Sequence, residues 1–234
     1  MERRNFLRTC ALAGSAACVA QWLSEAAAGQ SVRTYSRTRL VDGNGQPIKT
    51  KRLQVNRNYL FNYPYAGTPC FLLSLEQPAP RAELSDAGGQ RYAWDGGVGP
   101  RRSIVAYSAI CAHKLAYPAR EISFIRFQEQ PSKTSKGGVI HCCADHSIYD
   151  PGAGAKVVSG PAPQPLAAIV LEYDPRQDEL WAVGTIGAEQ FNAFFAKYEF
   201  KLGMELGAGR AQMPVGESTA CREMSQVCRQ TVQC

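Results

Sequence analysis

Two short stretches that gather thiols and imidazoles constrain this chain more than anything else in it: Cys111-Ala112-His113 and, further on, Cys142-Cys143-Ala144-Asp145-His146-Ser147-Ile148-Tyr149-Asp150. Cys-x-His followed by a distant Cys-x-x-His offers two sulfurs and two nitrogens. Both pairs can serve one centre only if the fold lays the two loops side by side. Such a set closes a zinc tetrahedron, so the spacing points to a metal site and leaves the metal open.

The flanking residues narrow the choice. Ser147-x-Tyr149-Asp150 and then Gly160-Pro161-Ala162-Pro163-Gln164-Pro165-Leu166 resemble, in that order, the second cluster loop and the proline loop of the Rieske iron-sulfur family. The resemblance covers roughly residues 100–187. In that family two histidines replace two cysteines on one iron of a 2Fe-2S cluster. It implies an all-β fold: a Rieske-type antiparallel β sandwich with an inserted cluster-binding subdomain, an N-terminal signal or anchor helix and a short C-terminal helix. It also implies a cluster held by Cys111, His113, Cys143 and His146, hydrogen bonds to it from Ser147 and Tyr149, and a proline loop containing Gly160, Pro161, Ala162 and Pro163.

Two departures from the family pattern touch the site. Respiratory Rieske proteins bridge an extra cysteine in each cluster loop; the matching positions here are Ala116 and Ala144, so the loops are expected to be held by iron ligation and packing alone. The second departure is one of register. Counting back from Tyr149-Asp150 without a gap puts the ligand at Cys142 and sets Asp145 where the family has histidine. Keeping Cys-x-x-His selects Cys143 and His146, the preferred register, because an imidazole is needed to complete the second iron. Cys142 stays as the alternative, and with it either a Cys-x-x-x-His loop or Asp145 itself as a ligand.

A chain of 234 residues can bury one substantial core. Its net charge of +6 is scattered rather than clustered, which gives no footing for a nucleic-acid partner. Of nine cysteines, two are assigned to iron, and disulfides or a partner contact are expected for Cys221, Cys228 and Cys234. Cys221 and Cys228, seven apart, are read as one helix face. Cys-x-x-Cys-His is absent, so covalently attached haem is not indicated. The three histidines, His113, His141 and His146, all belong to the cluster region, which leaves none for the mononuclear iron of a Rieske oxygenase.

Residues 1–28 carry Arg3-Arg4 ahead of the uncharged segment from Cys10 to Leu23 and end on Ala26-Ala27-Ala28, the pattern of a twin-arginine export signal, cleaved or kept as an inner-membrane anchor. That route carries folded proteins, which suits a cluster inserted before export, and places the chain in the periplasm. Residues 31–102 read as the first part of the base sheets, 103–165 as the cluster-binding subdomain, 166–187 as closing base strands, and 188–234 as a helix and cysteine-containing tail. Tyr59, Phe61, Tyr63 and Tyr65 alternate as one sheet face, Cys70 reads as a buried small hydrophobe, and Phe191, Phe194, Phe195 and Tyr198 recur at helical spacing over Ala188–Tyr198.

Neutral imidazoles leave a cluster less negative than thiolates would, which raises its potential, and a ligand histidine exposes a second nitrogen that can take a proton with the electron. The resemblance therefore implies an electron carrier that accepts from a quinol and passes to a cytochrome c-like acceptor as a subunit of a cytochrome bc-type quinol oxidoreductase. The Rieske small subunit of a molybdenum oxidoreductase of arsenite-oxidase type, and a zinc-binding structural module, are the alternatives.

Overall fold

The computed structural model describes residues 31–234; the arginine pair and the apolar segment read as an export signal lie outside the described residues. The strands are β1 (Arg33–Val41), β2 (Tyr59–Asn62), β3 (Pro69–Ser74), β4 (Ala82–Ser85), β5 (Arg91–Trp94), β6 (Ile104–Ser108), β7 (Ile122–Ser123), β8 (Ile125–Gln128), β9 (Val139–Cys142), β10 (Ser147–Asp150), β11 (Lys156–Ser159), β12 (Ala168–Asp174) and β13 (Glu179–Ile186). Helix α1 (Phe191–Leu206) follows, then β14 (Ser218–Ala220), β15 (Arg222–Glu223), α2 (Met224–Val227) and β16 (Gln230–Thr231).

Eight strands make the base sheet, in the order β14-β1-β13-β12-β6-β3-β2-β15. Its two edge strands are consecutive in the chain and separated by Cys221 alone. Thr219 Oγ1 on one edge donates to the Asn62 carbonyl on β2 at 3.0 Å, so the sheet curls until its edges meet. Period-two alternation sorts the side chains. Cys70, Leu72, Ile104, Ala106, Ile169 and Leu171 point inside with Leu40, Phe61 and Tyr63. Their neighbours Phe71, Leu73, Val105, Tyr107 and Ala168 point outward and pack beneath Ile125, Phe127, Ile140 and Tyr149. Those four belong to the second sheet, ordered β11-β10-β9-β8. The second sheet is thus seated on the base by apolar burial, each fully buried aromatic or aliphatic contributing about 1.5–3 kcal/mol, while β6, expected within the cluster-binding subdomain, belongs to the base.

The β12–β13 hairpin, expected to close the base sheet, lies in its middle instead, between β1 and β6. Phe61 and Tyr63 are core residues, and so is Cys70, whose thiol burial pushes far above its usual range. Tyr65 instead turns into a third apolar cluster, edge-on to Phe191 and Phe195 of α1. That helix begins later and ends later than expected. Its backbone leaves helical values at Tyr198 and resumes, burying Leu202, and it stops at Gly207, whose φ of 93° is open to glycine at little cost.

The tail departs further from the sequence reading. Cys221 and Cys228 do not share a helix face: Cys221 sits between β14 and β15, and Cys228 caps the four-residue α2, both as buried free thiols. Beyond them β16 pairs in parallel with β7, and the Val232 amide donates to the Ser123 carbonyl at 2.9 Å. The last residue then joins Cys143 in a disulfide. The second loop is therefore not held by ligation and packing alone, as the missing loop cysteines suggested. Among the described residues no helix is long and apolar enough to cross a membrane.

Candidate metal centre

The first loop leaves β6 and tightens at once. Leu115 donates its amide to the Cys111 carbonyl at 3.0 Å, Cys111 donates to Ala116 at 2.8 Å, and Leu115 takes a φ of 58°. This turn buries Cys111 and leaves His113 at the rim with 36% of its side chain exposed. The second loop joins β9 to β10, which pair at Cys142 and Ser147. His146, at φ 60°, reverses the chain into β10. The Asp145 carboxylate accepts the Ser147 amide at 3.0 Å, which pins it within the loop.

Two loops so placed bring one donor set together. The sulfurs of Cys111 and Cys142 and a carboxylate oxygen of Asp145 lie within 4.8 Å of one another. Cys111 Sγ donates to Asp145 Oδ2 at 3.3 Å, and His113 Nδ1 lies 2.9 Å from the same oxygen. The Asp145 side chain is only 2% exposed. Tyr149 Oη, fully buried, lies 3.4 Å from Cys111 Sγ and accepts the Ala112 amide at 3.2 Å.

The electrostatics are those of a site that stores negative charge. A hydrogen bond from Cys142 holds the Cys111 thiol below its usual range against the cost of burial. The same contact, with burial, pushes Cys142 far above its own. Burial would raise Asp145, but the Ser147 amide and the Cys142, Cys111 and His113 donors outweigh it and hold the carboxyl low. Burial first, and then the charge of Cys111, push the Tyr149 hydroxyl up, so it stays protonated and able to donate.

The preferred register does not assemble. Cys143 is bonded to Cys234, and the His146 ring lies beside His141, with centroids 6.1 Å apart, rather than beside Cys111. The physical reason is strand alternation: neighbouring cysteines at the end of β9 face opposite ways, and only Cys142 joins the core under the first loop. Ser147 Oγ accepts the Ala162 amide at 3.1 Å and so fastens the proline loop. Gly160 of that loop has φ 90°, and a Cβ there would come within 2.5 Å of the His146 carbonyl and Ser147 Cα. Pro161 and Pro163 are exposed on that loop and Ala162 is buried under it. The gap-free count back from Tyr149 is the sequence signal for Cys142 and Asp145; for Cys234 the sequence pointed to a disulfide or a partner contact but not to Cys143 as its mate.

The chain is similar to the soluble domain of the Rieske protein II (soxF) from Sulfolobus acidocaldarius, at 31% identity over 64% of this chain and 78% of that one, with a TM-score of 0.48. No family model matches. The two cysteine-bearing loops, the buried tyrosine and the proline loop converge on one smaller sheet carried by a base that is antiparallel except at its β14 edge. It is a Rieske-fold protein. In this Rieske-fold protein the donors that converge, with His113, number two sulfurs, one nitrogen and one carboxylate oxygen. Four protein ligands are what a 2Fe-2S cluster requires, and this set fits one, with a carboxylate where a second imidazole would stand.

Proposed function

We propose that this chain is an electron-transfer protein whose two loops hold a Rieske-type 2Fe-2S cluster through Cys111, His113, Cys142 and Asp145. The observation that carries the reading is the convergence of Cys111, Cys142 and Asp145 within 4.8 Å at a site whose only exposed member is His113. The cluster, when bound, supplies reversible one-electron transfer. Everything else is done by the chain. Cys111 and Cys142 provide anionic sulfur from beneath a sealed apolar layer, and Tyr149 donates a hydrogen bond to the Cys111 sulfur and offsets its charge. Gly160 and Ser147 hold the proline loop against the second loop and keep water from that side. His113 presents an imidazole to solution, where it can accept a hydrogen bond and a proton from a quinol donor.

In this reading the protein is exported by the twin-arginine route, works in the periplasm with or without an N-terminal membrane anchor, and passes electrons to a cytochrome c-like acceptor. It is the redox subunit of a larger oxidoreductase rather than a complete enzyme. Iron and acid-labile sulfide in the purified protein, with electron paramagnetic resonance of the reduced form, test the assignment. Equal amounts of both, and a rhombic signal with mean g below that of all-cysteine clusters, are expected. A colourless protein with stoichiometric zinc would replace the cluster with a structural metal.

A further inference from the structure

Behind the cluster loop lies a second set of donors that electron transfer does not use. His141 lies on β9 and Cys143 just past its end, and the His146 ring lies beside that of His141. Cys234 arrives from the tail, held by the Val232 amide on Ser123 and by Arg126 Nε donating to the Val232 carbonyl at 3.3 Å. Donor atoms of His141, His146 and Cys234 lie within 4.8 Å of one another. His141 is fully buried, and neither of its ring nitrogens has a hydrogen-bond partner. Buried imidazole nitrogens are normally satisfied, and here a second imidazole and the Cys234 sulfur lie within reach, with Arg126 opposite on β8.

We propose that His141, Cys143, His146 and Cys234 form a redox-gated zinc site, closed while the Cys143–Cys234 disulfide is intact and open once it is reduced. A dithiol supplies the two electrons and two protons: its own sulfurs pair, the Cys143–Cys234 bond breaks, and two thiols form. Zinc then displaces the two thiol protons and binds two thiolates and two neutral imidazoles, the closed two-sulfur, two-nitrogen tetrahedron that structural zinc favours. The consequence is an exchange of one clamp for another. In oxidising surroundings a covalent bond ties the tail to the back of the cluster loop, and in reducing surroundings a metal does so. The site stands apart from the front ligands because β9 turns Cys142 to the opposite face.

Cobalt(II), which reports tetrahedral thiolate coordination in the visible spectrum, serves as the probe on the full chain. The protein is compared before and after dithiol reduction and anaerobic desalting, with iron measured on the same samples. Reduced protein is expected to bind one cobalt per chain, and the disulfide form none. Cys234→Ser, a change at a half-buried residue outside the apolar clusters, should weaken that binding at least tenfold, as should His141→Gln, whereas Cys111→Ser should leave it unchanged. Equal binding by the disulfide form, or undiminished binding by reduced Cys234→Ser, would overturn the proposal. Loss in Cys111→Ser instead would assign the cobalt to the front loops and equally overturn it. Iron content in the same samples reports the front site separately, so the two assignments fail independently.

Discussion

Cys142 and Cys143 are chemically identical neighbours with opposite fates. The first faces the apolar layer beneath β6 and lies among Cys111, Asp145 and Tyr149; the second faces the tail and is bonded to Cys234. The same division runs on through the loop, where Asp145 turns to the front and His146 to the back. One loop thus supplies two donor sets, one on each face. A motif read as a string counts ligands by spacing, but a strand hands alternate residues to opposite faces. Spacing and facing agree only when the register is right, and here Cys-x-x-His mixes residues from both faces.

The largest effect is expected at the cysteine pair. Cys142→Ser should abolish iron binding, because it removes one of two anionic sulfurs, while Cys143→Ser should keep iron near one cluster per chain. Iron and sulfide analysis decides it, and the reverse pattern would restore the Cys143 register and erase the distinction between the faces. Next comes the imidazole question. Asp145→His should retain the cluster and raise its potential by on the order of 100 mV, since a neutral ligand replaces an anionic one, whereas His146→Ala should leave the potential in place. Voltammetry on the two variants sharpens the comparison, and a loss of cluster in His146→Ala would place that ring at the front. The smallest effect is that of Tyr149→Phe. A hydrogen bond worth about 1 kcal/mol favours the more negative reduced state, so its removal should lower the potential by about 40 mV, at 59 mV per tenfold for one electron. An unchanged potential would remove Tyr149 from the sulfur's surroundings.

Much of the architecture is legible in the chain because it rests on local pattern. Alternating residues at Cys70–Leu73 and Ile104–Tyr107 divide between the inside of the base and the seat of the second sheet, as period two requires. The Asp42-Gly43-Asn44-Gly45 turn is likewise written locally, with the Asp42 carboxylate accepting the amides of Asn44 and Gln46 at 2.8 and 2.9 Å. The end of α1 was not legible: the aromatic spacing runs out at Tyr198, but Leu202 finds burial against the third apolar cluster and carries the helix on to Leu206.

By itself the sequence showed two loops rich in cysteine and histidine, with Cys111 and His113 on one and a serine, a tyrosine and a proline loop following the other. These are matters of residue type and short spacing. Only the tertiary structure decided which cysteine and which acid or imidazole complete the front set, and where the remaining thiols go. Cys143 and Cys234 are 91 residues apart, and their pairing depends on β16 docking against β7. The path of that tail is chosen by packing over the whole molecule and leaves no trace in the residues on either side of the bond.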